Sequence, residues 1–366
     1  INMNIGIITF HSAHNYGAML QTFALQTYLK KELEINVKVI DFRTEAGIQA
    51  YEIFKRPNTL RQYFRELLKL LHYKELKNGY DSFELFLNNY IETTERYSTY
   101  QSLIENPPEF DVYISGSDQV FSPKGKELNA FYLNFGPSNI KRVAYAPSFG
   151  YKTIPDDKKE LITNLLNRFD YLSAREVSGC KIIKELTAKD APNVLDPVFL
   201  LNPEQYHNIA RPVKMKYKDF ILCYALVGMK KQISLANKLK EITGLPIILL
   251  KPSASLPIKG IDKTIISAGP LEFLWLFENA AFVVTDSFHG TAFSLVFKKD
   301  FFSTIAFPEK SERIYSILNE IGLNDRIIDN PIEITENNLE INYPIPSKKL
   351  EEKINTSKEY LKKSLQ

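Results

Sequence analysis

The residues best suited to chemistry lie in one run, Val283-Val284-Thr285-Asp286-Ser287-Phe288-His289-Gly290-Thr291. A β-branched apolar stretch reads as a buried strand. It breaks into polar residues and resumes at 292–297 as an apolar helix. In open α/β sheets a strand end that feeds a helix start is where ligands sit, and the free N–H groups of the first helical turn favour an anion. Ser287, Gly290 and Thr291 are candidates to offer hydroxyl and backbone donors to such an anion. His289 is a side chain whose charge changes near neutral pH, which makes it the candidate general acid.

Other strand-like runs end in the same way. Residues 5–10 lead into His11-Ser12-Ala13-His14-Asn15-Tyr16-Gly17, where Gly17 permits close backbone approach and Asn15 both donates and accepts. The Gly-x-Gly-x-x-Gly and Gly-Lys-Ser/Thr patterns are absent, so neither a dinucleotide fingerprint nor a phosphate-binding loop is present. His11 and His14 have no carboxylate cluster in sequence to complete a metal set. Next come Ser115-Gly116-Ser117-Asp118-Gln119, then Tyr145-Ala146-Pro147-Ser148-Phe149-Gly150. Leu172-Ser173-Ala174-Arg175-Glu176 puts a guanidinium at a strand end, where its fork suits a carboxylate or phosphate. Lys310 and Arg313 follow the run 301–305 at a helix start, an unfavourable place for cations unless an anion binds there.

These loops need a scaffold, and the alternation of elements supplies one. Strand-like runs at 5–10, 37–42, 112–115, 142–146, 171–174, 194–198, 220–226, 246–250, 264–267, 282–285, 301–305 and 326–328 interleave with helical patterns. This predicts an α/β protein with parallel sheets and right-handed crossovers. Its 366 residues suggest two domains. The division is expected near the polar stretch 203–218, giving Rossmann-like domains over 1–210 and 211–340. A charged helix in 341–366 carries Leu350, Ile354 and Leu361 on one stripe and is expected to pack back on the first domain.

The segment 44–100 departs from the alternation. Leu60, Tyr63, Phe64, Leu67, Leu68 and Leu71 share one helical face, with Arg61, Arg65 and Lys69 on another. Two readings fit: a helix packed on its own domain, or contact with a membrane surface or a lipid-linked substrate.

Composition removes several classes. A net charge of +3 gives no broad electrostatic case for nucleic acid. Two cysteines exclude a disulfide framework and a zinc cluster, and fit a reducing cytoplasm. Met3 reads as the natural start, without a signal peptide. No uncharged apolar run reaches the ~20 residues of a membrane span. The expected location is cytoplasmic, with association at the inner face of the membrane if the 60–71 face is used that way.

Taken together, Phe10-His11-Ser12-Ala13-His14-Asn15-Tyr16-Gly17-Ala18, Ser115-Gly116-Ser117-Asp118-Gln119-Val120, Tyr145-Ala146-Pro147-Ser148-Phe149-Gly150, Ala174-Arg175-Glu176, Leu195-Asp196-Pro197-Val198 and Thr285-Asp286-Ser287-Phe288-His289-Gly290-Thr291-Ala292 resemble the polysaccharide pyruvyl transferase family, in the family's order. The resemblance implies two Rossmann-like domains in a GT-B-like arrangement with the cleft between them. It implies transfer of a pyruvyl group from phosphoenolpyruvate, as co-substrate, to two hydroxyls of a sugar, giving a cyclic ketal and phosphate, with no cofactor and no metal. The acceptor sugar would be lipid-linked, nucleotide-linked or polymeric.

On this reading His289 is the acid, and Arg175 holds the donor. Lys310 stands at about the spacing of a family lysine. Ser287, Gly290, Thr291 and Arg313 would contact the donor. Asn15, Tyr16, Gly17, Ser117, Gln119 and Ser148 would face the acceptor, with Asp118 as base. The loop His14-Asn15-Tyr16-Gly17-Ala18 departs from the Gly-Asn-x-Gly-Asp type, having no acid after the glycine. Two alternatives stand beside this reading: a metal-independent glycosyltransferase of the same fold using a nucleotide sugar, and a non-catalytic sugar-binding homologue.

Overall fold

A computed structural model describes residues 3–227, 229–254, 256–306 and 312–366. The chain builds two parallel five-stranded sheets. The first contains β1 (Asn4–Ile8), β2 (Asn36–Phe42), β3 (Thr93–Tyr97), β4 (Val112–Ser115) and β5 (Lys141–Ala144), in the order β3-β2-β1-β4-β5. The second contains β6 (Ile221–Tyr224), β7 (Ile247–Leu250), β8 (Lys263–Ile265), β9 (Phe282–Thr285) and β10 (Asp300–Ser303), in the order β10-β9-β6-β7-β8. Helices cover both faces, which is why β4, β6 and β7 are buried along their whole length and read as unbroken apolar runs.

Strand order reverses at β1 in the first sheet, between β2 and β4, and at β6 in the second, between β7 and β9. The carboxyl ends on either side of such a reversal leave a crevice, because the two following crossovers depart to opposite faces. Both crevices open toward one another.

The two units share a core. Helix Tyr16–Lys31 after β1 has thirteen of its 16 residues buried, and every residue of helix Phe288–Val296 after β9 is buried. A helix apolar all round must be internal, and these two form the inner walls where the units meet. Tyr16 stacks on Phe273 of the second unit at 4.7 Å between ring centres, and its hydroxyl donates to the Ala268 carbonyl at 3.1 Å. The final helix, Pro344–Leu365, returns to the first sheet: Tyr360 donates to Ala144 O at 2.9 Å, and Ser357 Oγ accepts from Leu195 N at 2.9 Å.

Three expected strands are not strands. Tyr171 and Ala174 make only single bridges, to Val143 and Asn193; the segment 194–198 becomes a short 3-10 turn at Pro197–Phe199; Asn324–Arg326 is another such turn. These stretches are apolar because they are buried beside a sheet, and burial does not require a ladder. Conversely, β3 is too polar to read as a strand; it is an edge strand, exposed at Glu95 and Arg96. Helix Leu60–Leu71 forms where its periodicity places it, yet none of its residues is buried. The expectation that its apolar face packs on its own domain is therefore corrected. Among the described residues no helix is long and apolar enough to cross a membrane.

The docking of the last helix is testable. Leu361 is fully buried in the core, so Leu361→Ala should lower unfolding free energy by roughly 2–5 kcal/mol. The readout is the denaturant midpoint at unchanged slope. An unmoved midpoint would mean that this helix contributes little to the core.

Candidate functional site

A cleft of ≈ 580 Å³ lies between the facing sheet edges. From the first unit it is lined by the β1 loop (Thr9, Phe10, Ser12, Asn15), the β2 end (Phe42, Arg43), Tyr51, Asp118, Gln119 and Lys126. From the second it is lined by Leu226, Val227, Asp286, Ser287, Phe288, His289, Thr304, Ile305 and Arg313. Every segment except Tyr51, Lys126 and Arg313 directly follows the carboxyl end of a strand, as the topology requires.

His289 is at the floor, 7% exposed. It is the second residue of its helix, which Ser287 caps. The cap uses up donors expected for a ligand. Ser287 Oγ accepts from Gly290 N at 3.3 Å, Ser287 O accepts from Thr291 N at 2.9 Å, and the Thr291 hydroxyl lies 2.7 Å from Ser303 Oγ. Gly290 and Thr291 therefore serve the helix and its seat on β10, and neither lines the cleft. The N–H groups of Phe288 and His289 are those left without an intrahelical acceptor. Asp286 also lines the cleft but is engaged by the protein: its carboxylate accepts from Leu226 N at 2.7 Å and Val227 N at 2.9 Å, fastening the β9 end to the β6 end.

Below His289 lies a buried charge cluster that sequence reasoning did not assemble. Arg175, its side chain 1% exposed, pairs through Nη1 with Asp196 Oδ2, and its Nη2 is 3.5 Å from Asp118 Oδ1. The same Asp196 oxygen is 3.1 Å from Ser117 Oγ and 3.4 Å from His289 Nε2, the latter an ion-pair contact rather than a hydrogen bond. Its other oxygen accepts from Val198 N at 3.1 Å. Burial opposes ionisation of Asp196, but the charges of His289 and Arg175 outweigh it and hold the carboxyl well below the usual range.

The structure therefore moves Arg175 from the cleft wall to beneath it. Its guanidinium lies 4.6 Å from the Phe288 ring centre. That of Arg313 lies 5.8 Å from the same ring, and Arg313 lines the cleft. Burial, and then repulsion from Arg175, bring the Arg313 pKa down to about 10, so it remains a cation at neutral pH. Its Nε is buried without a partner among the described residues. Lys310 lies outside the described residues.

Behind this layer Glu176 Oε1 accepts from Ser148 Oγ at 3.0 Å and Phe149 N at 2.9 Å, while Oε2 has no partner among the described residues. Burial raises the Glu176 pKa. Ser148 is thus internal rather than acceptor-facing. So is Ser117, whose hydroxyl also donates to Ala146 O at 2.8 Å, and so is Tyr16 at the unit interface. Asn15 caps its helix by accepting from Ala18 N at 3.1 Å and lines the cleft with Asp118 and Gln119.

Asp118 carries a further signature. Its backbone sits at φ 76, ψ −173, a region suited to glycine that costs an ordinary residue about 1–3 kcal/mol. The strain is held by the loop: Asp118 O accepts from Ser148 N at 2.7 Å, and its Oδ1 accepts from Gln119 N at 2.9 Å. Such strain at a cleft wall points to a carboxylate held in place for use. Arg43, also unassigned from sequence, lines the cleft while bound to Asp41 by paired 2.5 Å hydrogen bonds. The strand-end rule would have found it, since it directly follows β2.

Gly17 closes the arrangement from the other side. A Cβ there would lie 2.0 Å from His289 Nδ1, so this glycine lets the first unit pack directly on the imidazole. Gly17→Ala should destabilise the protein, and adding His289→Ala, which removes the ring but keeps a Cβ 2.7 Å from the new methyl, should recover part of the loss, with a coupling of about 1–3 kcal/mol in the double-mutant cycle. Additive effects would place the two residues out of contact.

Acid should weaken the cluster. A carboxyl whose pKa is depressed by folding contributes stability that is complete above the unfolded value of about 3.9 and lost as pH falls toward the folded one. Asp196→Asn should cost roughly 3–5 kcal/mol at neutral pH, since it strands Arg175 as a buried charge, and should flatten the fall in stability below pH 4. Denaturation curves from pH 2.5 to 7 give both numbers; a variant with unchanged acid sensitivity would remove Asp196 from this role.

No curated protein matches the chain in sequence. Solved structures with low similarity include UDP-GlcNAc 2-epimerase from Neisseria meningitidis bound to UDP-GlcNAc, at TM-score 0.49 and 11% identity, covering 99% of each chain. The Methanocaldococcus jannaschii UDP-GlcNAc 2-epimerase in complex with UDP-GlcNAc and UDP gives TM-score 0.47 and 16% identity over 90% of each chain. Heptosyltransferase WaaC of E. coli with ADP-2-deoxy-2-fluoro heptose gives 0.39 and 12%, over 82% of this chain and 88% of that one. The family model for polysaccharide pyruvyl transferase matches residues 15–305. That span runs from the Asn15 cap through Asp118, Arg175 and Asp196 to His289 and the end of the second sheet, and the chain belongs to the polysaccharide pyruvyl transferase family.

Proposed function

We propose that the protein transfers the pyruvyl group of phosphoenolpyruvate to two hydroxyls of a sugar, forming a ketal and releasing phosphate. The observation that carries this reading is the juxtaposition, at one cleft floor, of His289, the cation Arg313, whose Nε has no partner among the described residues, and the open N–H groups of a capped helix start. A trianionic donor needs such a pool of positive potential, strengthened by the low dielectric of a buried floor.

Arg313 and the amides of Phe288 and His289 hold the donor's phosphate or carboxylate. His289 gives a proton to the donor's methylene carbon, leaving an oxocarbenium-like centre. Asp118 takes the proton of the first sugar hydroxyl as its oxygen bonds to that centre. The carbon–oxygen bond to phosphate then breaks, and the second hydroxyl closes the ring. One hydroxyl proton is thereby balanced by the new methyl hydrogen, the other by the departing phosphate. Asp196 keeps the imidazole in place, and Arg175 keeps Asp196 ionised, so both act through His289 rather than on the donor. The acceptor enters from the first-unit wall of Asn15, Gln119 and Arg43. No step requires a metal ion.

Calorimetry with phosphoenolpyruvate, with and without chelator, and with a panel of nucleotides and nucleotide sugars tests the reading. Phosphoenolpyruvate should bind equally in both conditions. Arg313→Ala should weaken it by about 1.5–3 kcal/mol, the value of a charge-assisted hydrogen bond. Once an acceptor that turns over is found, His289→Ala should reduce turnover ~10²–10⁴-fold with donor affinity held within a few-fold. Tight binding of a nucleotide sugar without binding of phosphoenolpyruvate would instead identify a glycosyltransferase.

A further inference from the structure

Helix Leu60–Leu71 is inverted relative to every core helix of this protein. Its polar side faces inward: Glu66, with a side chain 14% exposed, accepts from Lys55 N at 3.2 Å and from Lys69 Nζ at 2.8 Å, and Gln62 closes the capping box with Thr59. Its apolar side faces out, with Leu60 89%, Leu67 55% and Leu71 73% exposed, and Tyr63, Phe64 and Leu70 exposed between them. At 100° per residue these side chains occupy one continuous arc. Arg61 and Arg65 border it on the side of Leu68, and both are exposed.

The charge around this face says what covers it. Residues 55–74 hold six Lys and Arg against a single Glu, a net of five positive charges in a chain whose total is +3. A second copy of the same face would bring two such arrays together, which is repulsive. A surface carrying spread negative charge is complementary. Twelve residues give a helix of about 18 Å, too short to span a bilayer but suited to lying in its interface, with aromatic and leucine side chains inserted and guanidinium groups at the headgroups. We infer that this helix is a docking element for an anionic lipid bilayer.

The position fits delivery of substrate at a membrane. The segment leading into the helix contributes Gly47, Ala50 and Tyr51 to the cleft wall. Tyr51 stacks on His14 at 5.3 Å, and Phe54 stacks on Tyr73 of the next helix, Tyr73–Tyr90, at 5.8 Å. One insertion thus joins the cleft rim to the apolar face, so a protein seated by this helix would hold its cleft near the bilayer surface. The docking itself does not depend on the chemistry proposed for the cleft.

Flotation with vesicles tests it. The wild-type chain should float with vesicles of 70% phosphatidylcholine and 30% phosphatidylglycerol, several-fold less with pure phosphatidylcholine, and less in 0.5 M salt. Leu67→Glu with Leu71→Glu should reduce flotation at least tenfold while thermal melting and phosphoenolpyruvate calorimetry stay as in the wild type. Arg61→Glu with Arg65→Glu should remove the preference for anionic vesicles. The inference fails if the wild type stays in the soluble fraction, or if the leucine variant floats like the wild type. It also fails if sedimentation equilibrium shows a dimer that the leucine substitutions dissociate, since the face would then be buried between copies.

Discussion

The site depends on one buried carboxylate. Asp196 contributes a single oxygen to Arg175, Ser117 and His289, drawing the two units to one point. An isolated ion in such surroundings would be strongly unfavourable, and a guanidinium beside a carboxylate offsets that only when the geometry is closely set. Here it is set by the turn Pro197–Phe199 behind Asp196, by the single bridge at Ala174 before Arg175, and by the bare backbone of Gly17 against the imidazole. The polar cluster is thus also a register device: the apolar core continuous across the interface would tolerate small slips that a shared carboxylate oxygen does not.

From this constraint the roles at the cleft separate. Groups tied to Asp196 lie beneath the floor and are spent on position. Of the groups above it, Arg313 keeps its Nε without a partner among the described residues, and the first amides of the His289 helix have no intrahelical acceptor. Phe288 divides the layers, with a guanidinium within 6 Å of its ring centre on behalf of each. Burial lowers the Arg313 pKa and repulsion from Arg175 adds to it, and a bound anion would relieve that repulsion. The strain at Asp118 belongs to the same economy: the loop spends backbone energy to present a carboxylate to the cleft opposite His289.

Much of this was legible in the chain. Parallel α/β architecture, the loops that meet at the cleft and the placing of His289, Asp118, Gln119, Asn15, Ser287 and Arg313 on its wall follow from strand runs that end in polar residues before helices, while the family was legible as a resemblance of the motifs in those loops. Those signals are local: β-branched residues favour buried strands, and a cap residue announces a helix within three positions. The periodicity of 60–71 likewise specified a helix, because 3.6-residue spacing is a property of the segment alone.

What lay beyond reach was direction and partnership. Sequence could not tell that Arg175 turns inward to Asp196, that Tyr16, Ser117, Ser148, Gly290 and Thr291 satisfy the protein's own groups, or that Asp196 and Glu176 are buried charges. The contacts of Arg175, Tyr16, Ser117 and Ser148 join residues 21 to 252 positions apart, and those of Gly290 and Thr291 depend on how the helix start seats on β10. Nor could it tell whether the apolar face of Leu60–Leu71 is covered, since periodicity states that a face exists and not what lies against it. A residue's type and spacing determine what element it joins and what chemistry it is able to do. Only the packing of distant segments, by fixing burial and the nearest opposite charge, decided which of those groups is spent holding the fold and which is left for a ligand.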